Sequence, residues 1–269
     1  MVKGMSDSRN PSGADVFAPL ADLEGVGSAS RAARDAVDVL LRDRGLRRIG
    51  PEVTAEALLR GAHASAALAG SPSTLDEVRR GAGDARATGA VRITAELMGL
   101  APQVDTAPVQ VWARLHQLAA ADLVGADQVG HLRTSREPLP DDIAGLPEAP
   151  PADVMWERLS GLARALTRPT KAPAIVVAAM VHAELAVLRP FGTANGVVAR
   201  AAERAVLIAR GIDPVAATVP EAGHAELAGS YSQGLRDYAG GGLTGVRDWL
   251  LRSCDVVALG AERSPLNHS

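Results

Sequence analysis

The chain has 269 residues, 47% of them hydrophobic but only 3% aromatic, so its core must be built from Ala, Leu and Val. Lys plus Arg total 28 against 31 Asp plus Glu, a formal charge of −3, which leaves no electrostatic case for nucleic acid or an anionic membrane as partner. The single cysteine, Cys254, excludes an internal disulfide framework and a Cys-based zinc site. The first 15 residues are rich in Ser, Gly, Asn and Asp, which predicts a disordered tail, and they hold no apolar signal region. With no run of about 18 apolar residues anywhere, a cytoplasmic protein is expected. Helical periodicity then runs through roughly 29–45, 52–69 and 75–99, and again from Pro108 to Leu123. From Gly125 to Pro151 the chain is Pro-, Gly- and charge-rich and aperiodic, too long for a plain connector, hence a linker or a functional loop over a site.

An amphipathic helix is predicted over 152–168. Residues 174–188, AIVVAAMVHAELAVL, are apolar on nearly every face and predict a central buried helix too short to cross a bilayer. This helix stops at Arg189-Pro190-Phe191, and the chain passes through Gly192-Thr193-Ala194-Asn195-Gly196 into another helix that ends at Gly211, with Pro214 beyond. Small-residue loops delivered onto a helix N-terminus suit phosphates. Two more helices are expected, near 221–238 and 243–258, separated by Gly240-Gly241-Gly242. The fold class predicted is all-α, with at most a short β-hairpin near 130–140.

The residues from 182 to 200 resemble the Fic (Fido) family, whose signature is His-Pro-Phe-x-Asp/Glu-Gly-Asn-Gly-Arg-x-x-Arg. Pro190, Phe191, Asn195, Gly196 and Arg200 match it. Arg189 stands at the catalytic His, Thr193 at the metal-binding carboxylate, Ala194 at the first Gly and Val197 at the first Arg. His182 falls where the family often has another His, and "SYSQGL", with Tyr231 and Leu235, resembles its downstream helix. Gly130 and Arg133, in "VGHLRTSREP", resemble the start of the target-docking flap. Upstream, Ser65 and Gly70 match the inhibitory Ser/Thr-x-x-x-Glu-Gly/Asn segment, with Ala69 at the Glu. The resemblance implies a 1–15 tail, N-terminal helices over 16–107, a Fic-like domain over 108–258 and a 259–269 tail.

The family activity implied is transfer of AMP from ATP to a protein hydroxyl, but its reagents are altered here. Arg189 stays protonated and cannot serve as a general base. Thr193 offers a neutral hydroxyl in place of a carboxylate, so Mg²⁺ binding should be weak, and its expected role is to cap the next helix. Arg189, Gly192, Thr193, Asn195, Gly196 and Arg200 remain candidates for holding an anion or nucleotide. Arg200 is expected either to contact a phosphate or to pair at the surface with Glu203 or another acid. Three readings stay open: a pseudoenzyme that binds a protein partner or ATP or another nucleotide, an enzyme of altered chemistry on an anionic substrate, and residual AMP transfer with a substitute base. No metal or certain cofactor is assigned, and a homodimer is left open. His63, His116, His131, His224 and His268 show no metal-ligand spacing. "GAGDAR" at 81–86 lacks the preceding strand of a dinucleotide fingerprint.

Overall fold

In the computed structural model, residues 14–134, 143 and 145–268 are described. Eleven α-helices and no strand occur among them, in accord with the all-α expectation. They are α1 (Val26–Leu41), α2 (Arg44–Leu68), α3 (Leu75–Arg79), α4 (Ala85–Leu100), α5 (Pro108–Ala120), α6 (Ala152–Leu166), α7 (Ala174–Leu188), α8 (Asn195–Ala209), α9 (Pro220–Glu226), α10 (Ala228–Ala239) and α11 (Leu243–Glu262). Of the expected tail, residues 1–13 lie outside the described residues, and Asp15 is anchored. Its carboxylate accepts from the N–H groups of Phe17, Ala18 and Lys171 and from the Thr170 hydroxyl. Most of the expected hairpin, 135–142, likewise lies outside the described residues, and residues 130–134 form no strand.

Two expected helices are each split in two. The 75–99 segment breaks after α3, where Gly81 takes a left-handed conformation (φ 71°) and Asp84 starts α4 by accepting from the Ala87 N–H at 2.9 Å. The 221–238 segment breaks at Leu227 (φ −94°, ψ 25°), whose carbonyl accepts from Arg252 Nη2 at 3.0 Å as well as from the Ser230 N–H at 3.1 Å.

The small-residue core allows helices to approach closely. A Cβ on Gly223 in α9 would lie 2.4 Å from the Val256 carbonyl oxygen of α11, so only glycine fits there. Helix α7 is the centre: twelve of its residues are buried, and α8, α10, α11 and α6 pack around it. The Trp249 indole N–H of α11 donates to the Ala179 carbonyl at 2.8 Å, tying the two helices. Helix α8 is buried from Asn195 to Ile208. Its three charged residues in that span, Arg200, Glu203 and Arg204, are therefore placed in the protein interior, where each must find partners.

Candidate functional site

The loop between α7 and α8 is held by its own backbone conformation and one side chain. Arg189 closes α7 in the left-handed region (φ 44°), its N–H donating to Leu185 O at 3.1 Å. Ala194, immediately before α8, is also left-handed (φ 56°). The Asn195 amide clasps the loop: its Oδ1 accepts from the Phe191 N–H at 2.9 Å and its Nδ2 donates to the Phe191 carbonyl at 3.1 Å. Asn195 thus shapes the turn with both ends of its amide. Thr193 does not cap α8, contrary to expectation, because the residue in the capping position is Ala194 and no side chain caps the helix. Val197 packs in the core.

Arg200 is neither at the surface nor paired with Glu203. Its guanidinium is 1% exposed and donates to Ser65 Oγ at 2.9 Å, to the Ser65 carbonyl at 2.8 Å and to the Tyr231 hydroxyl at 3.1 Å. The segment resembling an inhibitory helix does reach this arginine, through Ser65. Ala69 lies one turn further on, half-buried at the end of α2, and Gly70 (φ 83°) terminates the helix there. Arg200 is instead held in the interior by Ser65 of α2 and Tyr231 of α10.

Glu203 instead joins two imidazoles. His182 Nδ1 lies 2.6 Å and His224 Nε2 2.7 Å from Glu203 Oε2, all three fully buried. His182 Nε2 meets the Tyr231 hydroxyl at 2.8 Å, and His224 Nδ1 meets Arg252 Nη1 at 3.0 Å. One proton assignment satisfies every contact. Arg252 can only donate, so His224 Nδ1 accepts and its Nε2–H points at the carboxylate. Arg200 donates to the Tyr231 oxygen, the tyrosine O–H donates to His182 Nε2, and His182 Nδ1–H donates to Glu203. Both histidines are then neutral and Glu203 ionised. The electrostatics agree: burial lowers the pKa of His182 and pushes that of His224 down to about 3, while the two imidazoles hold the Glu203 carboxyl well below its usual range against the opposing cost of burial. These three donor atoms lie within 4.8 Å of one another, as a metal site requires. The donor set nevertheless does not fit a metal, because His224 Nε2 would have to give up its proton while Arg252 occupies Nδ1, and two guanidinium groups flank the site.

Solved structures match this architecture, whereas neither a protein-family model nor a curated protein matches the sequence. A Fic family protein from Desulfovibrio desulfuricans G20 superposes with a TM-score of 0.70 at 18% identity, over 90% of this chain and 75% of its own. A segment of Fic-1 from C. elegans superposes with a TM-score of 0.68 at 16% identity, over 91% of this chain and 74% of its own. The chain has the Fic fold.

Gly130 and Arg133 support the loop from outside. Arg133, largely buried, caps α7: its Nε donates to the Arg189 carbonyl at 2.8 Å and its Nη2 to the Leu188 carbonyl at 3.2 Å. Its backbone N–H donates to the Pro190 carbonyl at 2.9 Å. A cation over the last carbonyls of a helix is favourable. Gly130 (φ 80°) directs its N–H to His116 Nδ1 at 2.9 Å. The His116 ring, 1% exposed, stacks on Phe191 with centroids 4.2 Å apart and planes 4° from parallel. Burial pushes its pKa down to about 4, and with Nδ1 accepting, the proton of the neutral ring sits on Nε2. The Thr193 carbonyl lies near enough to favour that proton, yet Nε2 makes no hydrogen bond of good geometry.

Ile143 and residues 145–150 run beside the loop. Ile143 is 3% exposed and packs on Gly196, where a Cβ would come within 3.0 Å of its Cγ1. The Pro147 carbonyl accepts from Arg189 Nη2, the Pro150 carbonyl from Arg133 Nη2, and the Gly145 carbonyl from Arg236 Nη1 at 2.9 Å. The structure therefore gathers Arg189, Thr193, Asn195, Gly196, Arg133 and Gly130 around the loop and draws Arg200 into the interior. His116, Arg236 and Ile143 beside the loop, and the pairing of Glu203 with His182 and His224, are contacts that sequence reasoning missed. The one available signal was the polar Arg200-Glu203-Arg204 set within a helix otherwise made of Ala, Val, Leu and Ile.

Proposed function

We propose that this Fic-fold protein is a pseudoenzyme, an interaction module that does not transfer AMP and that takes a phosphate-bearing ligand at the outer side of the loop, on Arg189. The observation that carries this reading is the set of side chains gathered at Phe191–Asn195. Arg189 remains a cation, Thr193 is neutral, and the His116 lone pair at Nδ1 is filled by the Gly130 N–H. None of these three can take a proton from an attacking hydroxyl, the step to which a general base contributes about 10²–10⁴-fold. Thr193 also lacks the carboxylate that would hold Mg²⁺ beside the phosphates. What the loop keeps is its shape, through Asn195, and a cation, Arg189, buried beside it.

The test is AMP transfer itself. Incubated with α-labelled ATP, Mg²⁺ and a cell lysate, the protein should leave both itself and the lysate unlabelled. Labelling by the wild type that disappears in Asn195→Ala would overturn the pseudoenzyme reading.

A further inference from the structure

Of the seven Phe, Tyr and Trp side chains in the chain, six are at most 6% exposed, and the seventh, Trp156 of α6, is 44% exposed. Helix α6 buries Met155, Leu159, Leu162 and Leu166, packs on α7 and α5, and turns its other side to solvent. At about 100° per residue the order around that outer side is Trp156, Asp153, Glu157, Val154, an arc of about 160°. Val154 is 41% exposed, and both carboxylates are exposed as well. Among the described residues neither carboxylate has an ion pair, and the Trp156 ring meets no other ring and no cation. We propose that this face of α6 docks a basic segment of a partner protein, with an arginine laid across Asp153 and Glu157 and stacked on Trp156. The proposal is independent of whether the loop takes a phosphate.

Folding alone does not account for this set. The dipole of α6 favours Asp153 in the first turn, but its effect fades within that turn and gives no reason for Glu157. Asp153 and Glu157 are one turn apart and repel each other, which a cation between them relieves. Trp is a middling helix former and loses most of its hydrophobic gain when half-exposed. A guanidinium answers all three groups at once. It is planar and weakly hydrated, so it stacks on an aromatic face while its N–H groups pair with carboxylates, whereas an ammonium keeps its water and has no plane to stack. Exposed ion pairs alone contribute little, so selectivity rests on the ring, and Trp and Arg are the side chains that dominate interface energetics. The two carboxylates repel nucleic acid and anionic lipid, in keeping with the formal charge of −3. Arg164, near two turns beyond Glu157 on the same side, confines the partner's basic residue to the first two turns of the helix.

The probe is a short synthetic peptide alternating Arg and Gly, titrated calorimetrically into the full chain beside a peptide of equal length alternating Lys and Gly. Two variants change only exposed side chains: Trp156→Ala removes the ring and keeps the charge, and the pair Asp153→Asn with Glu157→Gln removes the charge and keeps the ring. The expected result is that the Arg peptide binds at least about threefold more tightly than the Lys peptide. Trp156→Ala should weaken the Arg peptide about tenfold and erase that preference, and the carboxamide pair should weaken both peptides. Equal binding of the two peptides, unmoved by Trp156→Ala, would reduce the site to general acidity and overturn the proposal, as would no binding of either. Sedimentation of the chain alone supplies a further check. A dimer that dissociates in Trp156→Ala would assign the face to a second copy and overturn the basic segment as its occupant.

Discussion

Acid should unfold this protein with a steep pH dependence set by its three buried imidazoles. His116 and His224 have pKa values pushed down to about 4 and about 3, and that of His182 is lowered as well, in each case chiefly by burial. In the unfolded chain each returns to about 6.5. Below that value the unfolded state binds protons that the folded state refuses, so the stability these groups confer is complete above pH 6.5 and is lost as pH falls toward their folded values. Near pH 5 unfolding should take up about two protons at His116 and His224, to which the lowered pKa of His182 adds, and each proton is worth about 1.4 kcal/mol per pH unit. The combined slope is at least about 3 kcal/mol per pH unit, enough to exhaust a typical stability of about 5–15 kcal/mol within a few units. Glu203 steepens the fall further below its unfolded value of about 4.5, because its carboxyl is held ionised in the folded state. Urea unfolding at pH 7, 6, 5.5 and 5 measures the slope directly. His116→Phe, which keeps a ring stacked on Phe191, should reduce it by about 1.4 kcal/mol per pH unit. A slope below about 1 kcal/mol per unit, or imidazole NMR shifts showing His182 or His224 protonated in the folded protein at pH 5.5, would refute the proton assignment.

Two further predictions concern the loop's supports. Ser65→Ala removes one acceptor from the buried Arg200 guanidinium and should destabilise the fold by about 1–3 kcal/mol in urea, with a cycle against Tyr231→Phe showing coupling; a change under about 0.3 kcal/mol would mean that Arg200 finds another partner. Ala194→Gly should stabilise the protein by about 1 kcal/mol, because the left-handed conformation at φ 56° strains any residue with a Cβ, and an unchanged or lower unfolding midpoint would count against that strain.

Much of the fold was legible because some elements announce themselves locally. Helix α7 is apolar on every face, and its stop at Arg189-Pro190 and the loop that follows are written in residue identities. The α3–α4 break was also written, in Gly81 and Asp84, but a continuous helical period across 75–99 outweighed it. The fate of Arg200 could not be read, because Ser65 lies 135 residues away and only packing of α2 on α8 brings them together. The histidine network is hidden for the same reason: His182, Glu203, His224 and Tyr231 come from four helices, and no spacing along the chain encodes their meeting. The aperiodic stretch before Pro151 was read as a linker or a loop over a site, and its residues Ile143 and 145–150 run beside the loop between α7 and α8. That its carbonyls, not its side chains, would face the arginines is a backbone matter on which composition is silent.

The measurement that bears most directly on the account is the affinity for ATP with and without Mg²⁺, because Thr193 replaces the carboxylate on which metal-assisted transfer would depend. Binding should be no stronger with Mg²⁺ than without it, within about twofold, and should vanish in Arg189→Ala. A gain of about tenfold or more on adding Mg²⁺ would show that the loop still assembles a metal–nucleotide site, and would contradict the reading of this Fic fold as one that has kept the shape of the loop without its reagents.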